Sequence, residues 1–585
     1  MRYIKEILKK NLFVTFGYLV LGIFNSFLLN YKADYFQKII DGLSDENLAI
    51  MGIATYGIIL LTGYVMEYVD EYPAKKLEHG IYLDFKLLAL QKISTIEYLE
   101  YVKLGTGKLV QKIENGSTAA RDVIFNFWLV LIRQLLPSIL FSMYFIAKIN
   151  RNIMYILMSG YLVVFVVSNV LLKVLMQMKE KVLNHEEMLN HYLIRGFMEL
   201  VIFRVERQFP NEIRKADAAK KEIVSSKVKM NLIHEAFFTI FAWMVAFLNI
   251  GIIFYAWKSK NLTAGEVVAL ISLVENAYVP IAIFNVIYVQ YKLDKSAYAR
   301  FVRFLELKND EQFKKGRIPA GNAGEICVRD LHFEYEEKTV LDEVAFAITK
   351  GQKVALVGES GSGKSTLIKI LLGFLKYDRG QINVGGTELR DLCLDKLYDK
   401  IVYLSQDFPI FDGTIRENIL FDRNVPDDEI MMALEKVNLS CLVRDSARGL
   451  DTQIGEKGTR LSGGEKQRLA LARLWFEDPE LVIFDEATSA LDNLTEEAVM
   501  QEVLDRLKNQ TMIVIAHRLN FIAAFDKIIV FRNGKITSQG TFEELMKSDP
   551  YFAELYMSQD RDFALKNKNP CSACEFQAKQ GISIL

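Results

Sequence analysis

The sequence predicts two folds in succession: an all-α half of six long membrane-crossing helices, then an α/β half. Three observations carry this. Six apolar runs of spanning length lie before Lys292 and none after it. From Glu325 onward, short β-rich runs alternate with helical stretches, the pattern of an α/β domain. The composition agrees, with 51% of the 585 residues hydrophobic and 24% charged, too apolar for an ordinary soluble chain and too charged for one confined to lipid.

A membrane helix needs roughly 20 mainly apolar residues. The runs that meet this are 12–29, 50–66, 123–147, 153–172, 236–257 and 267–291. Arg133 interrupts the third and Glu275 the sixth. Met1 to Lys10 is basic and amphipathic and reads as an interfacial helix ahead of a retained span, since run 12–29 exceeds a signal core and lacks a small-residue cleavage site. Short loops follow runs one, three and five. The long connections, Asp70 to Asp122 and Lys173 to Glu235, are rich in Lys and Arg and are expected to stay cytoplasmic, as helices continuing out of the membrane. Residues 1–307 then form the membrane domain, 308–324 a charged linker with Pro319, Gly321 and Gly324, 325–560 the α/β domain and 561–585 a polar tail. The tail carries Cys571 and Cys574, half of a zinc site at most. A net charge of −1 gives no global attraction to nucleic acid, and no nucleic-acid partner is expected.

The chemistry concentrates in the second half. Gly358, Glu359, Ser360, Gly361, Ser362, Gly363, Lys364 and Ser365 fit the phosphate-loop pattern, between a strand (Val354 to Val357) and a helix opening that includes Thr366. Glycines let backbone N–H groups curl round phosphate oxygens, and the helix N-terminus adds positive potential. Lys364 is expected at the β- and γ-phosphates of ATP and Ser365 on Mg²⁺. The apolar strand Leu481 to Phe484 ends in two carboxylates. Asp485 fits the metal shell, and Glu486 fits a general base for the attacking water.

Leu461-Ser462-Gly463-Gly464-Glu465, followed by a basic helix and standing about 20 residues before Asp485, resembles the signature sequence of ABC ATPases. Other segments fall in that family's order. Gln406 resembles the Q-loop glutamine, Ser489 to Asp492 the D-loop, His517 the switch histidine and Tyr335 the aromatic that stacks on adenine. Gly455 to Gly458 resembles the exporter-type X-loop. Leu104 to Leu109 resembles the segment leading to the first coupling helix, and Gly196 to Arg204 the second. Ser405 replaces a frequent proline, and Glu114 to Ala119 matches poorly. One chain with six spans ahead of one ATPase domain resembles the bacterial multidrug and lipid-flippase half-transporters.

The resemblance implies an ATP hydrolase with Mg²⁺, held partly by Gln406, and with Gln406, Glu486 and His517 as catalytic residues. It implies a dimer, with a second copy or a paralogous half-transporter, in which Ser462, Gly463 and Gly464 of one chain complete the other chain's ATP site. It implies a multi-pass protein of the cell membrane, in contact with lipid, whose ATPase domain is cytoplasmic and which exports a drug-like or peptidic amphipathic cargo by alternating access. A lipid or lipid-linked oligosaccharide flippase has the same architecture and stays open. The six apolar runs count against a soluble ABC ATPase with a regulatory or mechanical role. Charges inside spans normally face protein or a wet cavity. Glu275 and Asn276, one turn before Pro280, are therefore expected to touch cargo, with Arg133 as a counter-charge.

Overall fold

The structure is a computed structural model that describes residues 2–44, 50–104, 106–335, 338–406, 408–421, 423–455, 458–486, 491–516 and 522–558. It divides into two units, Met1–Ser94 with Leu104–Leu307, and Thr95–Lys103 with Lys308–Leu585.

In chain order the helices are α1 (Arg2–Lys10), α2 (Leu12–Ser44), α3 (Ile50–Ile93), α4 (Tyr98–Leu104), α5 (Thr106–Arg121), α6 (Leu136–Ile149), α7 (Arg151–Met198), α8 (Leu200–Val205), α9 (Phe209–Ser259) and α10 (Ala264–Leu305). Four apolar stretches among the described residues are long enough to cross a membrane: Leu12–Leu43, Ile50–Ile93, Leu109–Ile149 and Phe209–Ser259. Runs 153–172 and 267–291 fall within α7 and α10, where several side chains lie outside the described residues. The long connections are mostly helical, made of the continuations of α3, α7 and α9 together with α4, α5 and α8.

Between α5 and α6 the chain winds as two π-helical segments, Asp122–Leu129 and Leu131–Leu135. Pro137 sits in the first turn of α6 and has no N–H to offer the carbonyl four residues back. That carbonyl, on Arg133, accepts instead from the Ser26 hydroxyl of α2 at 3.4 Å. Lower in the same unit Phe85, Phe301 and Phe304 are fully buried. Gly116 admits Phe301, because a Cβ there would stand 2.4 Å from its ring.

The α/β unit holds two sheets. The larger has strand order β10-β9-β3-β8-β7-β6 and the smaller β2-β1-β4-β5. Their strands are β1 (Ile326–Tyr335), β2 (Lys338–Ile348), β3 (Lys353–Gly358), β4 (Arg379–Val384), β5 (Thr387–Glu388), β6 (Ile401–Leu404), β7 (Leu481–Asp485), β8 (Thr511–Ile515), β9 (Lys527–Arg532) and β10 (Lys535–Gly540). Strands β3, β6, β7, β8 and β9 run parallel. All of β7 and β8 is buried, which explains their unbroken apolar runs: helices and loops cover both faces of a parallel sheet. The register sets Gly358 beside Phe531, Leu404 beside Phe484 and Asp485 beside Ile515. Several strands therefore end along one edge, where open α/β sheets place their sites.

Two expectations need correction. The boundary at 307 put all earlier residues in the membrane half, yet Thr95–Lys103 groups with the α/β unit. Thr95 O accepts from Asp310 N at 2.8 Å, and Glu97 pairs with Lys376 at 2.6 Å and Lys308 at 3.2 Å. The short helix that joins the α/β unit is α4, which precedes the 104–109 segment and leads into it. From sequence the 104–109 segment is expected to lead to that helix, whereas it follows it, and Glu97 and Tyr98 make the contacts within the α/β unit.

Candidate nucleotide site and membrane charges

The loop after β3 turns into α11 (Lys364–Leu371). Two glycines make that turn possible. At Gly358 (φ +148°) a Cβ would lie 2.1 Å from Phe531 O. At Gly363 (φ +106°) it would lie 2.7 Å from Leu341 and 3.0 Å from Val340 O. The β9–β10 turn props the loop from below, with Gly534 N donating to Ser362 O at 3.1 Å. The sequence marks Asn533-Gly534, between Phe531 and Ile536, as a hairpin turn, but not its contact with the phosphate loop.

Lys364 is buried, and its ammonium donates to the carbonyls of Gly358 and Glu359, each at 2.8 Å. Burial pushes it below the ordinary lysine value, while Glu486 and Asp485 act the other way. The ammonium thus lies within the arch of the loop, where phosphate oxygens would be bound. Glu359, Ser360 and Gly361 are exposed on the rim, and Thr366 lies in the first turn of α11.

Asp485 is also buried, and burial raises its carboxyl above the usual carboxylate range. Ser365 Oγ donates to its Oδ1 at 3.3 Å, and Tyr403 Oη donates to its Oδ2 at 3.4 Å. Ser365 and Asp485 thus present two hard oxygen donors side by side. Among the described residues no group of three or more His, Cys, Asp or Glu side chains could cage a metal ion. One hydroxyl and one carboxylate fit Mg²⁺, which keeps waters and takes substrate phosphate oxygens.

Glu486 has φ +56°, a left-handed backbone that is costly for a residue with a Cβ and concentrates at functional sites. Gln406 Nε2 donates to Glu486 Oε2 at 2.8 Å. The structure therefore joins Gln406 to Glu486, and Ser365 to Asp485, across 80 and 120 residues of chain. Ser462 caps the helix Gly463–Ala472 in a capping box with Glu465. The Ser462 backbone N–H and hydroxyl both donate to Glu465 at 2.7 Å and hold that carboxyl low. Ser462 and Gly463 are exposed and Gly464 half-buried. Tyr335 ends β1, half-buried, edge-on to Phe333 at 4.9 Å. Asp492 caps the helix Asn493–Arg506. His517, Ser489, Ala490, Glu456, Lys457, Cys571 and Cys574 lie outside the described residues.

The membrane charges are arranged otherwise than the sequence suggested. Arg133 is buried, its guanidinium lies 3.8 Å over the Tyr18 ring, and it pairs closely with Asp70 of α3. Its counter-charge is thus within the bundle, from the first residue of the connection expected to lead out of the membrane. Gly22 makes the passage: a Cβ there would meet Arg133 Nε at 2.4 Å. Glu275 is exposed and Asn276 half-buried on α10.

A sheet edge that joins a glycine-rich loop, a buried carboxylate and a strained glutamate is the arrangement of a P-loop ATPase domain. Residues 341–489 match the ABC transporter family model. The chain is 34% identical over 379 residues to an ATP-dependent lipid A-core flippase of Neisseria meningitidis serogroup B, covering 64% of this chain and 60% of the relative. Over 523 residues it is 28% identical to a Staphylococcus aureus (strain NCTC 8325 / PS 47) protein provisionally described as a multidrug export ATP-binding/permease protein, covering 87% and 89%. The chain thus spans about three fifths of the flippase. A solved bacterial Atm1-family ABC exporter with ATP bound matches in fold with TM-score 0.79 and 21% identity, covering 94% of this chain and 98% of that one. Residues 341–489 thus resemble the ABC transporter family, and the chain shares the fold of the solved exporter.

Proposed function

We propose that the chain is one half of an ATP-driven exporter, working as a dimer in the cell membrane with its ATPase unit in the cytoplasm. The carrying observation is the paired geometry of Ser365 with Asp485 and Gln406 with Glu486 at one sheet edge, in a chain whose other half is built of long apolar helices. Lys364 and the loop amides bind the ATP phosphates. Ser365 and Asp485 would hold Mg²⁺, with Gln406 nearby; when bound, the ion supplies charge neutralisation at the phosphates. Glu486, oriented by Gln406, accepts the proton of the attacking water at its carboxylate, and His517, the second residue after β8 in sequence, would contact the γ-phosphate. Tyr335 stacks on adenine. Ser462, Gly463 and Gly464 of the second chain close each site, and closure drives the membrane helices between access states.

The cargo is an amphipathic compound, drug-like or peptidic, and Glu275 and Asn276 line its path. The resemblance to a lipid A-core flippase over 379 residues favours a second reading, movement of a lipid or lipid-linked sugar. Purified protein in proteoliposomes distinguishes the two. Export predicts ATP-dependent uptake of members of an amphipathic compound panel, and the flippase reading predicts ATP-dependent translocation of a fluorescent lipid. The absence of both, with ATPase intact, contradicts transport.

A further inference from the structure

We infer that Tyr403 is a positioning residue for the metal carboxylate, and that through Phe374 it ties the placement of α4 to Asp485. The inference rests on the reading of Asp485 as a Mg²⁺ residue.

Four contacts form an unbroken line within the α/β unit. Glu97 is fixed by Lys376 at 2.6 Å and Lys308 at 3.2 Å. The next residue, Tyr98, stacks on Phe374 with centroids 5.0 Å apart and planes 17° apart. Phe374 meets Tyr403 edge-on at 6.5 Å and 74°. The Tyr403 hydroxyl donates to Asp485 Oδ2 at 3.4 Å. Phe374 is held laterally as well: Tyr398 packs edge-on against it at 6.2 Å and anchors its own hydroxyl on Leu372 O at 2.7 Å.

The line has the right ends for a coupling device. Asp485 has one oxygen taken by Ser365 and the other by Tyr403, so its rotamer is set by these two hydroxyls. At the far end, α4 lies between the long helices α3, ending at Ile93, and α5, starting at Thr106. Only four residues separate α3 from α4, and one separates α4 from α5, so α4 is tied to both long helices by short stretches of chain. Aromatic rings in contact transmit displacement because packed interiors resist compression. A tyrosine that served packing alone would do so equally well without its hydroxyl.

The test is metal binding by the full chain in lipid nanodiscs. Mn²⁺ is titrated in the presence of a non-hydrolysable ATP analogue, and free Mn²⁺ is read by its electron paramagnetic resonance signal. Tyr403→Phe is expected to raise the Mn²⁺ half-saturation about fivefold, the effect of one net hydrogen bond, with metal-free nucleotide affinity unchanged. Tyr98→Ala is expected to shift it in the same direction. The double variant should bind no more weakly than Tyr403→Phe, since contacts in one line are not additive. A wild-type Mn²⁺ curve for Tyr403→Phe, while Asp485→Asn loses the ion, overturns the role of Tyr403. Strictly additive shifts overturn the link to α4. A wild-type curve for Asp485→Asn overturns the metal reading itself, and the inference with it.

Discussion

Replacing Glu486 by Gln isolates the proton-accepting function from everything else the residue does. The side chain keeps its size and an amide oxygen that still accepts from Gln406 Nε2, now 2.8 Å from the carboxylate. The left-handed backbone at φ +56° is no harder for Gln than for Glu. What disappears is a group able to take a proton from water. General bases contribute about 10²–10⁴-fold, or about 3–5.5 kcal/mol at 1.36 kcal/mol per tenfold. Turnover should fall by that range. ATP binding should persist or tighten, because the Glu486 charge acts on Lys364 and its removal relieves repulsion of the phosphates. The assay is phosphate release by protein in nanodiscs, with a fluorescent ATP analogue reporting affinity. Lys364→Ala is the contrast, since it should weaken binding itself. Hydrolysis within threefold of wild type (roughly the precision of such assays, against at least the hundredfold loss expected) would refute the assignment of Glu486.

Further outcomes follow from the same geometry. Gly358→Ala places a Cβ 2.1 Å from Phe531 O; the loop must leave β9, and ATP affinity should drop at least about tenfold, the equivalent of 1.4 kcal/mol, with wild-type affinity counting against the loop geometry. Asp70→Asn leaves the buried Arg133 charge without its partner, a loss of about 3–5 kcal/mol visible as a lower melting temperature in nanodiscs. Asp70→Leu combined with Arg133→Met should recover most of it, and a wild-type melt for the single variant contradicts a buried pair. Glu275→Gln should preserve basal ATPase while abolishing its stimulation by the compound panel; unchanged stimulation removes Glu275 from the cargo path.

The sequence was most readable where structure is local. The phosphate loop, its preceding strand and its following helix lie in one short segment, and the glycines at 358 and 363 have backbone angles that only glycine adopts freely. Both ends of the Gln406–Glu486 contact stand out in the sequence, but their meeting depends on β6 lying beside β7, which no local pattern announces. Asp70 was misplaced for a physical reason. Helix α3 runs without a break from Ile50 to Ile93, as expected, but the polarity rise near Asp70 suggests its exit toward water, whereas Asp70 still faces a partner within the bundle. Its pairing with Arg133, 63 residues away, needs the packing of α3 against the π-helical segment, and no periodicity announces that. Tyr403 has no sequence signal of this kind either, because an aromatic near the end of a short apolar strand looks like core until its hydroxyl is seen on Asp485.

The central claim is that two chains share each ATP site. That claim is tested by a single cysteine pair, Ser462→Cys and Ser360→Cys, in a background freed of the five native cysteines and carrying Glu486→Gln. Both new positions are exposed, the first at the entrance of the signature helix and the second on the rim of the phosphate loop. Crosslinked dimer on oxidation with ATP and Mg²⁺, and little without nucleotide, is the predicted result. Equal crosslinking with and without ATP, or none in either state, would contradict the shared site.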